Sequence, residues 1–178
     1  NAASWHVFGR EASEAVESTR EALGAAIGAE AKAILFTSGA TESANLALQG
    51  VLSFYKEKGN HVVTTRTEHP AVFDCCGALE SGGAEVTVLD VDEFGRVAPE
   101  AVREALTDKT VLVSVIHANN EIGTLNDVAA IGQIAKEREV LFHVDAAQSL
   151  GKVPLDVADA GIDLLSLSAH KAYGPKGV

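Results

Sequence analysis

Methionine is missing from all 178 residues, and cysteine occurs only twice, at the adjacent positions Cys75 and Cys76. An adjacent pair suits neither a disulfide framework nor the spaced ligand pairs of a zinc site, so reduced thiols in a cytoplasmic compartment are expected. Basic charge is also scarce: 14 Lys and Arg stand against 25 Asp and Glu, a formal charge of −11. With no basic stripe to gather phosphates, direct nucleic-acid binding is not expected. No run approaches the ~18 apolar residues of a membrane span, and the basic-then-apolar start of a signal peptide is absent. The reading is a soluble protein. G-x-G-x-x-G, Walker, H-E-x-x-H and G-x-S-x-G motifs are all missing, which removes the simplest nucleotide, zinc-protease and serine-hydrolase assignments. Repeats and Ser/Pro-rich linkers are missing too, so no internal boundary is placed. The chain opens without an initiator methionine and stops inside a Gly-Pro turn, and we expect it to be a piece of a longer protein.

What is present is an alternation. Helical periodicity runs through 9–27, 41–58, 70–81, 99–107 and 127–138. Between these stretches lie short β-branched, apolar runs at 33–37, 61–65, 84–91, 110–116, 140–145 and 163–168. Strands that read as near-continuous Val, Ile and Leu, each separated by a helix, predict a doubly wound α/β domain with a mainly parallel sheet covered on both faces. With 47% hydrophobic residues the chain has the material for a substantial core.

Such sheets bind ligands beyond the carboxyl ends of their strands, where loops and helix N-termini gather. Five of the six predicted strands deliver polar residues to that edge: Ser38 to Ser43, Glu68-His69, His117 to Glu121, Asp145 with Gln148 nearby, and Ser168 to Lys171. Lys171, at the mouth of an apolar strand, has the setting for a lowered amine pKa and Schiff-base chemistry, or is a surface lysine in a turn. Asp145 ends the strand "VLFHV" and needs a cationic partner, such as a protonated ring nitrogen, or else caps a following helix. The turn "TSGATESANLAL" offers free N–H groups and hydroxyls to a phosphate, or Thr41 caps the helix behind it. His69 has the chemistry to stack on a planar group and move protons, though a lone histidine also serves as an ordinary loop residue. His117, Glu121, His143 and Asp145 make a conceivable metal set, but no close ligand pair supports it, and no metal is expected.

Five ordered blocks, "FTSGATESANLAL", "TEHPAVFD", "HANNEIGTLNDVAAIG", "HVDAAQSLGKVPLDV" and "DLLSLSAHKAYGPKGV", together resemble the cysteine desulfurases of the iron-sulfur assembly and nitrogen-fixation type. These belong to the class V aminotransferase group of fold-type I pyridoxal-phosphate (PLP) enzymes. The resemblance covers essentially the whole chain. It implies that residues 1–178 are part of a cofactor-binding large domain, with an N-terminal segment and a small C-terminal domain absent. It further implies that Lys171 carries the cofactor, Asp145 pairs with the pyridine nitrogen, and Gln148 bonds the ring hydroxyl. His69 would stack on the ring and help move protons. Ala40, Thr41, Ser168 and His170 would hold the phosphate, and Asn120 would orient the ring hydroxyl and the substrate carboxylate. The implied reaction takes L-cysteine to L-alanine and passes sulfur through an enzyme cysteine to an iron-sulfur scaffold or other acceptor protein, in a cytoplasmic homodimer. That cysteine and the substrate-gripping arginine are expected beyond Val178, so this stretch alone is expected to be inactive; Cys75 and Cys76 are read as packing residues. Ala169 stands where the resemblance leads one to expect glycine. Two rivals remain: a related class V enzyme, such as a selenocysteine lyase or aminotransferase, and a catalytically silent α/β binding module.

Overall fold

The computed structural model describes residues 1–178. In chain order the elements are α1 (Val7–Ile27), a 3₁₀ turn (Ala31–Ala33), α2 (Ala40–Phe54), β1 (His61–Thr65), α3 (Pro70–Ser81), β2 (Glu85–Leu89) and α4 (Pro99–Ala105). They are followed by β3 (Thr110–Ile116), α5 (Val128–Glu137), β4 (Leu141–Asp145), β5 (Leu164–Ser166) and a second 3₁₀ turn (Ala169–Lys171). Local chemistry sets several starts. Pro70 and Pro99 open α3 and α4, where a missing N–H costs nothing. Asp127 caps α5 by accepting from the Ala130 N–H at 3.0 Å.

The five strands form one sheet in the order β2-β1-β3-β4-β5, and every neighbouring pair is parallel. This is the doubly wound α/β architecture that the alternation predicts. Parallel pairing requires long crossovers, and the helical ones, α3, α4 and α5, help to bury both faces. On one face Leu48, Val51 and Leu52 of α2 and Val72, Cys75 and Cys76 of α3 cover Val62 and Leu112. On the other, Val102 of α4 and Ile131, Ile134 and Ala135 of α5 cover Val63, Val113, Val115, Phe142 and Val144. Phe142 and Ile131 are fully buried, and each such side chain contributes about 2–3 kcal/mol by leaving water.

One predicted strand is not there. Residues 31–33 form the 3₁₀ turn and the chain runs on through Thr37 without joining the sheet. The reason lies in where its bonds go. Arg20 of α1 donates to the Ile34 carbonyl, and its guanidinium lies over the Phe36 ring, 4.9 Å from the centroid. The segment is therefore tied to α1 rather than to a strand, and Leu35 is left exposed. The apolar run at 33–37 was compatible with a strand, but periodicity alone cannot supply a partner. Other boundaries shift less: the helix expected to reach residue 58 ends at Phe54, and α1 starts two residues early because the His6 ring accepts from the Gly9 N–H.

Strand order reverses between β1 and β3, since the chain steps outward to β2 and then returns across β1. At such a reversal the flanking loops part and leave a crevice at the carboxyl edge.

Candidate active site

A cleft of about 390 Å³ opens at that edge, within the size range of small-ligand sites. Ala40 and Thr41 reach it from α2, His69 from the head of α3, and Asp145 from the end of β4. Ser168, His170 and Lys171 reach it from the segment after β5, together with Lys176. The structure thus gathers on one cleft seven of the nine residues singled out for cofactor binding.

Each is positioned by local geometry. Gly39 precedes α2 with φ 136°, a conformation open to glycine, and no side chain caps the helix. Thr41 therefore lies inside the first turn and is not the cap. The first N–H groups of a 15-residue helix, carrying the positive end of its dipole, are left facing the cleft. Glu42 stands on the same wall with its carboxylate held by the Ser38 N–H at 2.6 Å, which keeps its pKa low.

His69 caps α3: its Nδ1 accepts from the Ala71 N–H at 3.1 Å. That bond places the neutral ring's proton on Nε2. Asp145 is buried, and its Oδ1 accepts from the Ala147 N–H at 3.0 Å. The following residues form turns rather than the helix that a capping role would require, and Oδ2 makes no hydrogen bond within the chain. Burial pushes the Asp145 carboxyl upward, opposed by the Ala147 N–H and by the charges of His69 and Lys171. The half-buried Lys171 ends the second 3₁₀ turn; beside it the Ser168 hydroxyl and His170 Nδ1 are 2.9 Å apart. Ala169 is accommodated because Gly174 is opposite: a Cβ on Gly174 would lie 2.9 Å from the Ala169 methyl.

These features fit PLP. A buried carboxylate with an unfilled oxygen suits a cationic ring nitrogen, an uncapped helix start with Lys176 and His170 nearby suits a phosphate, and an amine stands on the same cleft.

Two of the predicted residues lie elsewhere. Asn120 is exposed in the loop after β3 and does not line the cleft; its neighbour Asn119 is the one that makes bonds, donating to the Thr67 carbonyl at 2.9 Å. Gln148 is half-buried, with Oε1 accepting from Lys152 Nζ at 2.9 Å. Of the conceivable metal set, His143 is sealed in the sheet with Ser114 Oγ at 2.8 Å from Nδ1 and Ser166 Oγ at 2.9 Å from Nε2. Cys75 and Cys76 are buried in the α2/α3 face, which pushes both thiols up, Cys76 to about 12. They pack; they are not poised nucleophiles.

Sequence reasoning gave no role to Glu68, though it sits beside His69. It is buried, accepts from the Thr65 hydroxyl at 2.6 Å and the Ile116 N–H at 2.8 Å, and is pushed up to about 8, mainly by burial. An acidic residue next to a cap reads as a solvated loop charge unless its burial is known.

The sequence pattern described as Aminotransferase class-V matches residues 1–178. Cysteine desulfurase IscS of Neisseria meningitidis serogroup A is 56% identical over 177 residues, covering 99% of this chain and 44% of that protein. Cysteine desulfurase IscS of Pseudomonas aeruginosa is 55% identical over 173 residues, covering 97% of this chain and 43% of that protein. The chain thus spans less than half the length of these curated relatives. Among solved structures, SspA in complex with cysteine superimposes with a TM-score of 0.96 at 42% identity, covering 99% of this chain and 51% of that one. A NifS-like protein gives 0.95 at 38% identity, with 99% and 49% covered.

Proposed function

The chain belongs to the aminotransferase class-V family, and on that premise we propose that residues 1–178 are the cofactor-binding part of a PLP-dependent cysteine desulfurase. One observation carries the reading: Lys171, Asp145 and His69 line a single cleft. A relative solved with cysteine supports L-cysteine as the substrate. A cytoplasmic setting, a homodimer and delivery of sulfur for iron-sulfur assembly complete the proposal.

When bound, PLP supplies an electron sink for charge that develops on the substrate carbon. The residues do the rest. Asp145 would set its carboxylate against the ring nitrogen, an interaction that burial strengthens. The first turn of α2, with Thr41 and the Ala40 N–H, would hold the phosphate together with Ser168 and His170, which line the same cleft. Lys171 would provide the amine that anchors the cofactor. His69, with Nδ1 occupied by Ala71, has Nε2 left to move a proton. Net transfer breaks the Cβ–S bond of cysteine and leaves its electron pair on carbon, which takes a proton to give alanine. Sulfur becomes the outer atom of a persulfide on an enzyme thiol other than the buried Cys75 and Cys76.

Incubation of the full-length protein with PLP, reduction by borohydride and peptide mapping tests this. Label at Lys171 is the expected result. Label elsewhere, or none, rejects the reading.

A further inference from the structure

Glu68 has no part in the mechanism above, yet its surroundings are those of a built position. It follows β1 by three residues and precedes His69 by one, and it is 8% exposed. Its Oε1 accepts from the Thr65 hydroxyl and from the Ile116 N–H at the end of β3. One oxygen therefore laces β1 to β3 across the point where strand order reverses. A second tie reinforces it, since Asn119 from the loop after β3 bonds the Thr67 carbonyl. His69 hangs from this doubly anchored segment.

The other oxygen, Oε2, is sealed from solvent and has no partner. The titratable groups facing Glu68 are Asp145 from β4, a like charge, and Cys76 from α3, a thiol that burial keeps neutral. From β3 comes the Ile116 N–H, with the buried His117 next along the strand, whose ring burial holds toward the neutral form. No cation acts on it. A carboxylate here would leave one charged oxygen bare beside a second buried anion, a costly arrangement. A carboxylic acid keeps both bonds accepted by Oε1 and carries its proton on Oε2.

We propose that Glu68 is a positioning residue that works as a neutral acid: it clamps the β1 and β3 ends, holds His69 at the head of α3, and leaves Asp145 the one negative charge buried under the cleft. Its catalytic consequence rests on the PLP reading. Burial pushes the group up to about 8, so ionisation arrives just above neutral pH, puts a second charge beside Asp145 and loosens the clamp.

The test compares wild type with Glu68→Gln and Glu68→Ala in the full-length protein, with and without PLP. Gln copies the neutral acid, so wild type is expected to decline in activity near pH 8, and E68Q to keep activity within about threefold at pH 7 and to lose that decline. E68A strands the Thr65 hydroxyl and the Ile116 N–H and is expected to lose about tenfold or more at every pH. Infrared difference spectra of the cofactor-free protein should show a carboxylic-acid C=O band at pH 7 that titrates away above pH 8 and is missing from E68Q. Absence of that band in wild type, an alkaline limb unmoved by E68Q, or E68Q as impaired as E68A would each overturn the proposal. The infrared arm needs no cofactor and remains decisive if E68A fails to fold. Failed labelling at Lys171 would remove the PLP reading alone.

Discussion

His143 and Asp145 lie two residues apart on β4 and so share a face of the sheet, yet they live differently. His143 has both ring nitrogens engaged by serine hydroxyls from the strands on either side and is fully buried. Asp145, at the strand end, satisfies one oxygen on a backbone N–H and leaves the other open to the cleft. A buried polar group with a completed inventory belongs to the scaffold, because nothing is left over to bind with. One with an unfilled valence at a strand end marks the place where a ligand completes the structure.

The largest effect should come from the open side. Lys171→Ala removes the anchoring amine, and desulfurase activity of the full-length protein should fall by on the order of 10³-fold or more, with no borohydride-stable label. Asp145→Asn keeps the bond from Ala147 but loses the charge. Activity is expected to drop by about 10²–10³-fold while the urea midpoint of the cofactor-free protein holds or rises, since a buried charge has gone. A parallel loss of stability would put Asp145 with His143 in the scaffold.

The sealed face should answer in the opposite currency. Phe142→Ala, which empties the α4/α5 core, should cost about 3–5 kcal/mol in chemical denaturation. The activity of molecules that remain folded should change little.

A smaller effect is the pH dependence of stability. Burial depresses His143 from 6.5 to about 4, so folding resists its protonation and stability rises with pH between about 4 and 6.5. Glu68 is raised from 4.5 to about 8, so the folded state holds its proton longer and stability falls between about 4.5 and 8. The two slopes oppose each other from about 4.5 to 6.5. From about 6.5 to 8 the contribution of Glu68 alone is a loss of about 2 kcal/mol, and the raised Asp145 carboxyl acts in the same direction. Urea midpoints across pH 4–9 measure this, and Glu68→Gln should flatten the upper limb while leaving the His143 slope in view.

Much of this comparison could be read before any coordinates. The continuous Val and Leu runs at 61–65 and 110–116 announce central parallel strands because only strands buried on both faces have that composition. Lys171, Asp145 and His69 stand at strand ends, where the architecture itself directs polar side chains to one edge. The stretch 33–37 reads as a strand and is not one, because its Ile34 carbonyl and Phe36 ring meet Arg20 instead of a neighbouring strand. Glu68 was placed at a strand end but given no role for a related reason: that role depends on burial and on the Ile116 N–H, 48 residues away in the chain, and no local pattern encodes such a contact. Asn120 and Gln148 fall in the strand-end segments but take their roles from the resemblance, and neither lines the cleft in this structure.

The decisive measurement is a crystal structure of the full-length protein loaded with PLP. Continuous density from Lys171 Nζ to the cofactor, with an Asp145 oxygen about 2.7–3.2 Å from the ring nitrogen and the phosphate at the start of α2, is the predicted result. A ring nitrogen facing away from Asp145, or a cofactor held by any other amine, would contradict it.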